Sequence, residues 1–386
     1  MIIYLAWFFL SVVVLYATLN SSREKQMAAV TFFLLALGVF VGLGDMLGGY
    51  DRYIYGELYD AMADNTKLGR NPWLSYSFAF YGSEFGYGTF CALLTYITSN
   101  RYIFIFIATM VIYVLLIQAL RKYVDNAPFA VVMFMGLWFF FTFTYLRQVM
   151  GAAIVWLSVE YIIKRDLKRF LLIWFIAFSF HNSAIVFLPL YFLPFRKFTP
   201  KQVIVLMAVA LVIGLSPIPQ AIFSAYGEVD ADRITSNYDA DAGFRWAYLI
   251  EAGFFLFVIL SNYSKISEKD DRELMMLNIA LIFCAILLVF VRSENGGRLG
   301  WIFMIGVFCT MSNICVSDRK VLAHGSLMIA VSFLLFFRIL SGWDNLVSPY
   351  KSFLTDGVRT PDYIHDRYEY DNNYDVDKFY RPAFGN

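Results

Sequence analysis

Residues 129–163 read FAVVMFMGLWFFFTFTYLRQVMGAAIVWLSVEYII. From Phe129 to Thr144 the chain is almost purely apolar and heavily aromatic, and from Val149 to Ile163 it is apolar again. Between the two lies Tyr145-Leu146-Arg147-Gln148. Two membrane helices therefore meet at an arginine and a glutamine with only a tight connection between them. A fixed positive charge at a membrane boundary costs free energy unless it snorkels to the interface or serves a ligand.

The composition agrees with that reading. The 386 residues are 60% hydrophobic and 19% aromatic, with only 16% charged and a mean hydropathy of +0.60. Soluble domains carry far more charge, so the chain reads as an all-α polytopic membrane protein. Its net charge of +1, without a basic stripe outside the membrane-flanking loops, argues against nucleic acid as a partner. Cys91, Cys284, Cys309 and Cys315 all sit in apolar runs and form no C-x-x-C pair. They read as small buried hydrophobes, neither a disulfide frame nor a metal site. Met1 to Leu19 lacks a basic flank before it and a cleavage site after it, so it reads as a first span, not a cleaved signal.

Apolar segments recur at 2–19, 27–43, 102–120, 128–146, 149–163, 202–215, 246–262, 273–291, 300–316 and 325–341. Threading them from an outward N-terminus gathers six short basic loops on the inner side, near residues 23–25, 121–122, 164–169, 196–201, 265–272 and 319–320. The expected architecture is roughly 10–12 transmembrane helices in one domain over residues 1–341, with outer loops 44–101 and 216–245. A polar tail rich in Asp and Tyr, residues 342–386, is placed on the outer side and reads as partly disordered.

Residues 170–195 resist simple threading, because basic loops on both sides demand the inner face. Two full crossings need about 40 residues, and each arm of about 12 residues climbs only about 18 Å as a helix. The segment reads as a re-entrant or short hairpin with His181-Asn182-Ser183 at its tip. Its rival is a single span that breaks the charge rule.

Four arginines fall in the outward loops or at their edges: Arg147, Arg245, Arg292 and Arg298. A guanidinium offers a planar fork that fits phosphate oxygens, and several converging on one cavity would suit a pyrophosphate. The plainer alternative is a set of separate interfacial arginines paired with Glu294, Glu251 and Asp241. Arg292 and Arg298 frame Ser293-Glu294-Asn295-Gly296-Gly297, where two glycines allow close backbone approach. His181 sits where a helix N-terminus, capped by Asn182 or Ser183, would turn its positive end towards an anion. The first outer loop sets Asp45, Asp51, Glu57, Asp60 and Glu84 among tyrosines, a combination suited to sugars. The triplets Asp230-Ala231-Asp232 and Asp239-Ala240-Asp241 have the form of a metal-binding Asp-x-Asp, but no Rossmann-like pattern accompanies them. No Walker A sequence exists, so ATP-driven work is not supported.

Glu84-Phe85-Gly86-Tyr87, Leu146-Arg147-Gln148, Phe180-His181-Asn182-Ser183-Ala184, Asn295-Gly296-Gly297-Arg298 and Ser348-Pro349-Tyr350 together resemble the EpsG-type members of the Wzy superfamily, bacterial O-antigen and exopolysaccharide polymerases. Asn182 departs from that pattern, where proline or lysine follows the histidine at least as often. The resemblance implies a GT-C-like integral membrane glycosyltransferase in the bacterial inner membrane with its site facing the periplasm. It places Glu84, Arg147, Gln148, His181 and Arg298 at the family's polar positions. The implied reaction moves a growing glycan from a polyprenyl diphosphate carrier to the non-reducing end of a lipid-linked repeat unit. Donor and acceptor are then both polyprenyl diphosphate-linked oligosaccharides, and a chain-length regulator is a candidate partner.

Outside the inner membrane there is no nucleotide-sugar pool, which fits a donor activated before export. Preorganised arginines would stabilise the departing pyrophosphate, so neither a metal nor another cofactor is required. The acceptor hydroxyl needs a base, for which Asp51, Glu84 and His181 are the candidates. An O-antigen ligase of the same superfamily and a lipid-linked oligosaccharide flippase are the alternatives. The clustering of polar groups on one face favours an enzyme over a transporter.

Overall fold

The computed structural model describes residues 1–46, 48–49, 51–221, 243–293, 296–354 and 381–385. Helices α1 (Ile2–Thr18) and α2 (Arg23–Gly42) open the chain. A small cap follows, made of α3 (Arg52–Lys67), α4 (Tyr76–Phe80) and α5 (Phe85–Leu94). Then come α6 (Arg101–Tyr123), α7 (Ala127–Leu137), α8 (Phe141–Thr144), α9 (Leu146–Trp156) and α10 (Val159–Ile163). Helix α11 (Leu167–Phe180) is paired with a 3-10 helix, Asn182–Phe192. The last third holds α12 (Pro200–Leu215), α13 (Trp246–Ser261) and α14 (Asp271–Val289). A 3-10 helix, Gly296–Phe303, runs into α15 (Met304–Cys315), and α16 (Ala323–Gly342) and α17 (Asp344–Val347) follow.

The protein is an all-α polytopic membrane protein. Among the described residues, six helical stretches are long and apolar enough to cross a membrane: 23–42, 101–123, 146–163, 271–289, 296–315 and 323–342. Shorter apolar helices pack between them. Two two-residue strands, Val316–Ser317 and Lys320–Val321, pair across a turn at Asp318 and Arg319, both at positive φ.

The segment expected to span as one helix over 128–146 is instead divided. Helix α7 ends at Leu137, and the chain turns through Trp138 before α8 resumes at Phe141. The turn lets successive aromatic residues bury in different directions. Trp138 packs on Trp156 of α9, Phe139 and Phe140 on Phe336 of α16, and Phe143 on Tyr4 and Phe40 of the first two helices. A continuous helix would point only one or two of these rings at any given neighbour.

One end of the bundle collects the basic loops. Arg23 and Arg272 share Asp125, Lys122 and Lys164 share Glu160, and Lys197 donates to the carbonyl of Ile266. The opposite end carries the cap and is the site end. There the carbonyls closing α2 are taken by the fully buried Arg52, whose Nη2 donates to Val41, Gly42 and Gly44 at 2.8–3.0 Å. Residues 350–353 strap across the same helix end. Tyr350 stacks on Phe40 at 4.2 Å, and the Phe353 amide donates to the Leu43 carbonyl. The tail residues 381–385 return to this cap, where Arg381 pairs with Asp64 at 2.9 Å and Thr98 donates to the Ala383 carbonyl.

Candidate active site

Residues 167–192 do form the expected short hairpin. Its two arms, of 14 and 11 residues, rise about 21 and 22 Å respectively. At its base the Arg165 guanidinium donates to the carbonyls of Tyr191 and Leu193, and Tyr191 donates back to the Arg165 carbonyl. Between the arms the Trp174 indole donates to the Ala184 carbonyl at 2.8 Å. The base is thus pinned at the basic end, and the tip, His181-Asn182-Ser183, arrives at the cap.

Helix α5 meets the hairpin through Gly86. A Cβ there would lie 2.1 Å from Ser179 Oγ, so any larger residue would push the two helices apart. That approach delivers Glu84, at the N-terminus of α5, to the hairpin tip. Its side chain caps no amide of its own helix. Instead Oε2 meets Arg147 Nη1, while Oε1 accepts the Asn182 backbone amide at 3.2 Å and lies 3.7 Å from His181 Nε2. The carboxylate is nearly buried, at 4% exposure, whereas Arg147 and His181 keep 18% and 25%. The positive end of the second arm does point at an anion, as the sequence suggests, and that anion is Glu84 itself.

His181 is oriented by its own turn. Its Nδ1 accepts the Ser183 amide at 3.2 Å and lies 2.7 Å from Ser183 Oγ. An Nδ1 that accepts a backbone N–H carries no proton, so in the neutral ring the proton sits on Nε2, facing Glu84.

Arg147 is set by the first turn of α9 and anchored by the cap. Its Nε donates to the Tyr55 hydroxyl at 3.4 Å, and its guanidinium lies over the Tyr55 and Tyr81 rings at 5.5 and 5.8 Å. Burial pushes the Tyr55 phenol up to about 12, with Arg147 opposing the shift, so Tyr55 stays protonated beside the arginine. Nη2 makes no hydrogen bond among the described residues.

The Gly296-Gly297-Arg298 turn joins this group through Gln148, whose Nε2 donates to the Arg298 carbonyl at 3.0 Å. The two glycines are needed for packing: a Cβ on Gly297 would fall 2.4 Å from the Tyr248 ring, and one on Gly296 2.6 Å from Phe290. Arg298 donates from Nη2 to the Tyr145 hydroxyl at 3.0 Å and lies 4.4 Å over that ring. Asp51 lies within electrostatic reach of both arginines, and its amide donates to Thr144 Oγ1 at 2.8 Å. Burial raises the Asp51 carboxyl above the usual carboxylate range, and Arg298 and Arg147 both pull it back.

The structure therefore brings together Asp51, Glu84, Arg147, Gln148, His181 and Arg298. Tyr248 feels both Arg245 and Arg298, and the Arg245 amide donates to the Val291 carbonyl. Arg292 is exposed and joins no ion pair among the described residues. Glu294, Asn295 and both Asp-Ala-Asp triplets lie outside the described residues. Sequence reading missed Arg338, which stands on α16 and acts electrostatically on Glu251 of α13. An ionisable residue inside an apolar span is the signal that flags both.

No curated protein sequence and no solved structure matches the chain. The profile of the EpsG family matches residues 28–352, which carry every residue of this cluster. The chain belongs to the EpsG family.

Proposed function

We propose that this protein is a polysaccharide polymerase that transfers a growing glycan from a polyprenyl diphosphate carrier to the non-reducing end of a lipid-linked repeat unit. Membership of the EpsG family supports the polymerase role. The observation that carries the diphosphate reading is the pairing of Arg147 and Arg298. They come from helices about 150 residues apart, both act on Asp51, and each is anchored on a tyrosine hydroxyl through one nitrogen. Arg147 also spends Nη1 on Glu84, which leaves its Nη2, together with Nε and Nη1 of Arg298, for oxygens of a ligand.

In this reading the acceptor hydroxyl oxygen forms a bond to the anomeric carbon of the donor as the carbon–oxygen bond to the diphosphate breaks. The bonding pair leaves on the diphosphate oxygen, where Arg147 and Arg298 stabilise the growing charge. The acceptor's proton goes to Asp51. Glu84 is less suited to take it, because both its oxygens are engaged by Arg147, Asn182 and His181. His181 presents Nε2–H and so donates. The guanidinium pair supplies the positive charge the leaving group needs, so turnover persists in EDTA.

The segregation of basic loops to one end supports an inner (plasma) membrane protein whose site faces the periplasm. The test is the surface glycan of a deletion strain on a gel. Loss of a polymerase leaves single-repeat glycans. Glycans missing altogether from the surface core would point to a ligase, and repeat units trapped inside would point to a flippase; either would overturn the reading.

A further inference from the structure

Next to the Arg147 cluster, and sharing Arg298 with it, lies a chamber of about 520 Å³ between α7, α13, α14 and α16. Its volume lies in the range of small-molecule sites. One wall is aromatic: Tyr145 and Trp301 lie 5.3 Å apart, Trp343 packs 6.5 Å from Tyr145, and Phe141 backs Trp301 in a stack at 3.8 Å. Arg298 forms the edge shared with the first site, 6.0 Å from Trp301. Glu251 and Arg338 also line the chamber.

Those two charges decide what the chamber holds. Glu251 is the sixth residue of α13 and Arg338 lies four residues before the end of α16, so both sit within the apolar part of their helices at the site end. They act on each other electrostatically, yet no ion pair closes between them among the described residues. Arg338 is exposed along its helix, whereas Glu251 is partly buried and costs free energy there unless something polar meets it. A prenyl chain in the chamber would leave Glu251 facing hydrocarbon. A sugar would not: its C–H face lies on indole and phenol rings, and its hydroxyls donate to a carboxylate and accept from a guanidinium.

We propose that this chamber is a saccharide subsite, in which one sugar ring of the lipid-linked glycan lies on the Tyr145–Trp301–Trp343 wall with its hydroxyls held by Glu251 and Arg338. The proposal rests on the glycosyl diphosphate reading of the neighbouring site and adds where the sugar goes. Arg298, which borders both, then stands at the junction of sugar and diphosphate.

The test uses the full-length protein in nanodiscs and two separate probes. One is the free repeat-unit oligosaccharide released by mild acid from the strain's carrier-linked glycan; the other is undecaprenyl diphosphate. Saccharide binding is read by calorimetry and by the fluorescence change of the tryptophans. Glu251→Gln, which loses a hydrogen bond to a charged group, and Trp301→Leu, which loses the ring on which the sugar lies, are each expected to weaken oligosaccharide binding about tenfold or more. Undecaprenyl diphosphate binding stays within about twofold, which also reports that the variants are folded. Arg147→Lys is expected to do the reverse. Oligosaccharide binding that is absent in the wild type, or equal in all three proteins, would overturn the proposal. So would Trp301→Leu losing undecaprenyl diphosphate instead of the oligosaccharide, since the chamber would then hold the prenyl chain. Wild type that binds the oligosaccharide at this wall but makes no polymer in the strain keeps the subsite and removes the polymerase reading.

Discussion

His181 Nε2 lies 3.7 Å from Glu84 Oε1, on the carboxylate whose other oxygen is held by Arg147. One buried acid thereby ties the hairpin tip to the first turn of α9. Glu84→Gln keeps the shape and removes the charge, so it is expected to abolish polymer and to lower the melting temperature, because Arg147 loses its partner. His181→Gln keeps a donor near the same position and is expected to retain partial polymer synthesis. Complete loss in His181→Gln with intact undecaprenyl diphosphate binding would instead make the imidazole the base.

Arg147→Lys and Arg298→Lys each retain a positive charge and lose the fork that reaches a tyrosine and a ligand together. Near-complete loss of polymer at normal protein level is expected for both, read by glycan gel and immunoblot. Arg292→Lys, at an exposed position, is expected to leave polymer unchanged. Wild-type polymer from both of the first two variants would remove the diphosphate clamp.

Asp51 gives a pH dependence. Burial raises its carboxyl above the ordinary 3.8, with Arg298 and Arg147 opposing. A raised value means that the folded protein binds the proton more tightly than the unfolded chain. Ionised Asp51 therefore subtracts stability above its folded pKa, and that deficit fades as pH falls through the folded value towards 3.8. Asp51→Asn should melt above the wild type at pH 7, with the gap closing as pH falls, while polymer synthesis is lost. A gap that stays constant with pH would show that the ionised carboxylate is not penalised.

The cap has its own buried ion pair. Arg101 is 1% exposed and holds Asp60 from Nε at 2.9 Å, and Arg381 of the returning tail approaches the same oxygen at 3.9 Å. Asp60→Ala removes the carboxylate that faces this buried guanidinium and should cost about 3–5 kcal/mol. Glu268, 75% exposed at the basic end, pairs with Lys197 at 3.5 Å, and Glu268→Ala should change stability by less than about 1 kcal/mol. Thermal denaturation in one detergent compares the two.

Helix α12 crosses α14 through Gly214, where a Cβ would fall 2.1 Å from the Leu288 carbonyl oxygen. Neither backbone can move without parting the helices, so Gly214→Ala should cost about 1–3 kcal/mol and lower the yield of folded protein. An unchanged melting temperature would show that the crossing is loose.

The sequence by itself determined the class of the protein and the position of its turns. Long apolar runs have one stable form in a membrane, so helices followed from composition, and the basic loops sorted one end from the other. The hairpin at His181 followed from length and charge alone, because 26 residues between two basic loops are too short to cross twice. What only the tertiary structure decided is which polar groups meet. Glu84 and Arg147 are 63 residues apart, and Gln148 and Arg298 are 150 apart; no local pattern says that either pair is in contact. Four arginines looked alike along the chain, yet packing selects Arg147 and Arg298 for one site and leaves Arg292 exposed. The break after Leu137 was equally hidden, since it arises from where the rings of Trp138, Phe139, Phe140 and Phe143 find neighbours. Hydrophobicity fixes that these residues are buried, and only the packed arrangement of helices fixes against what.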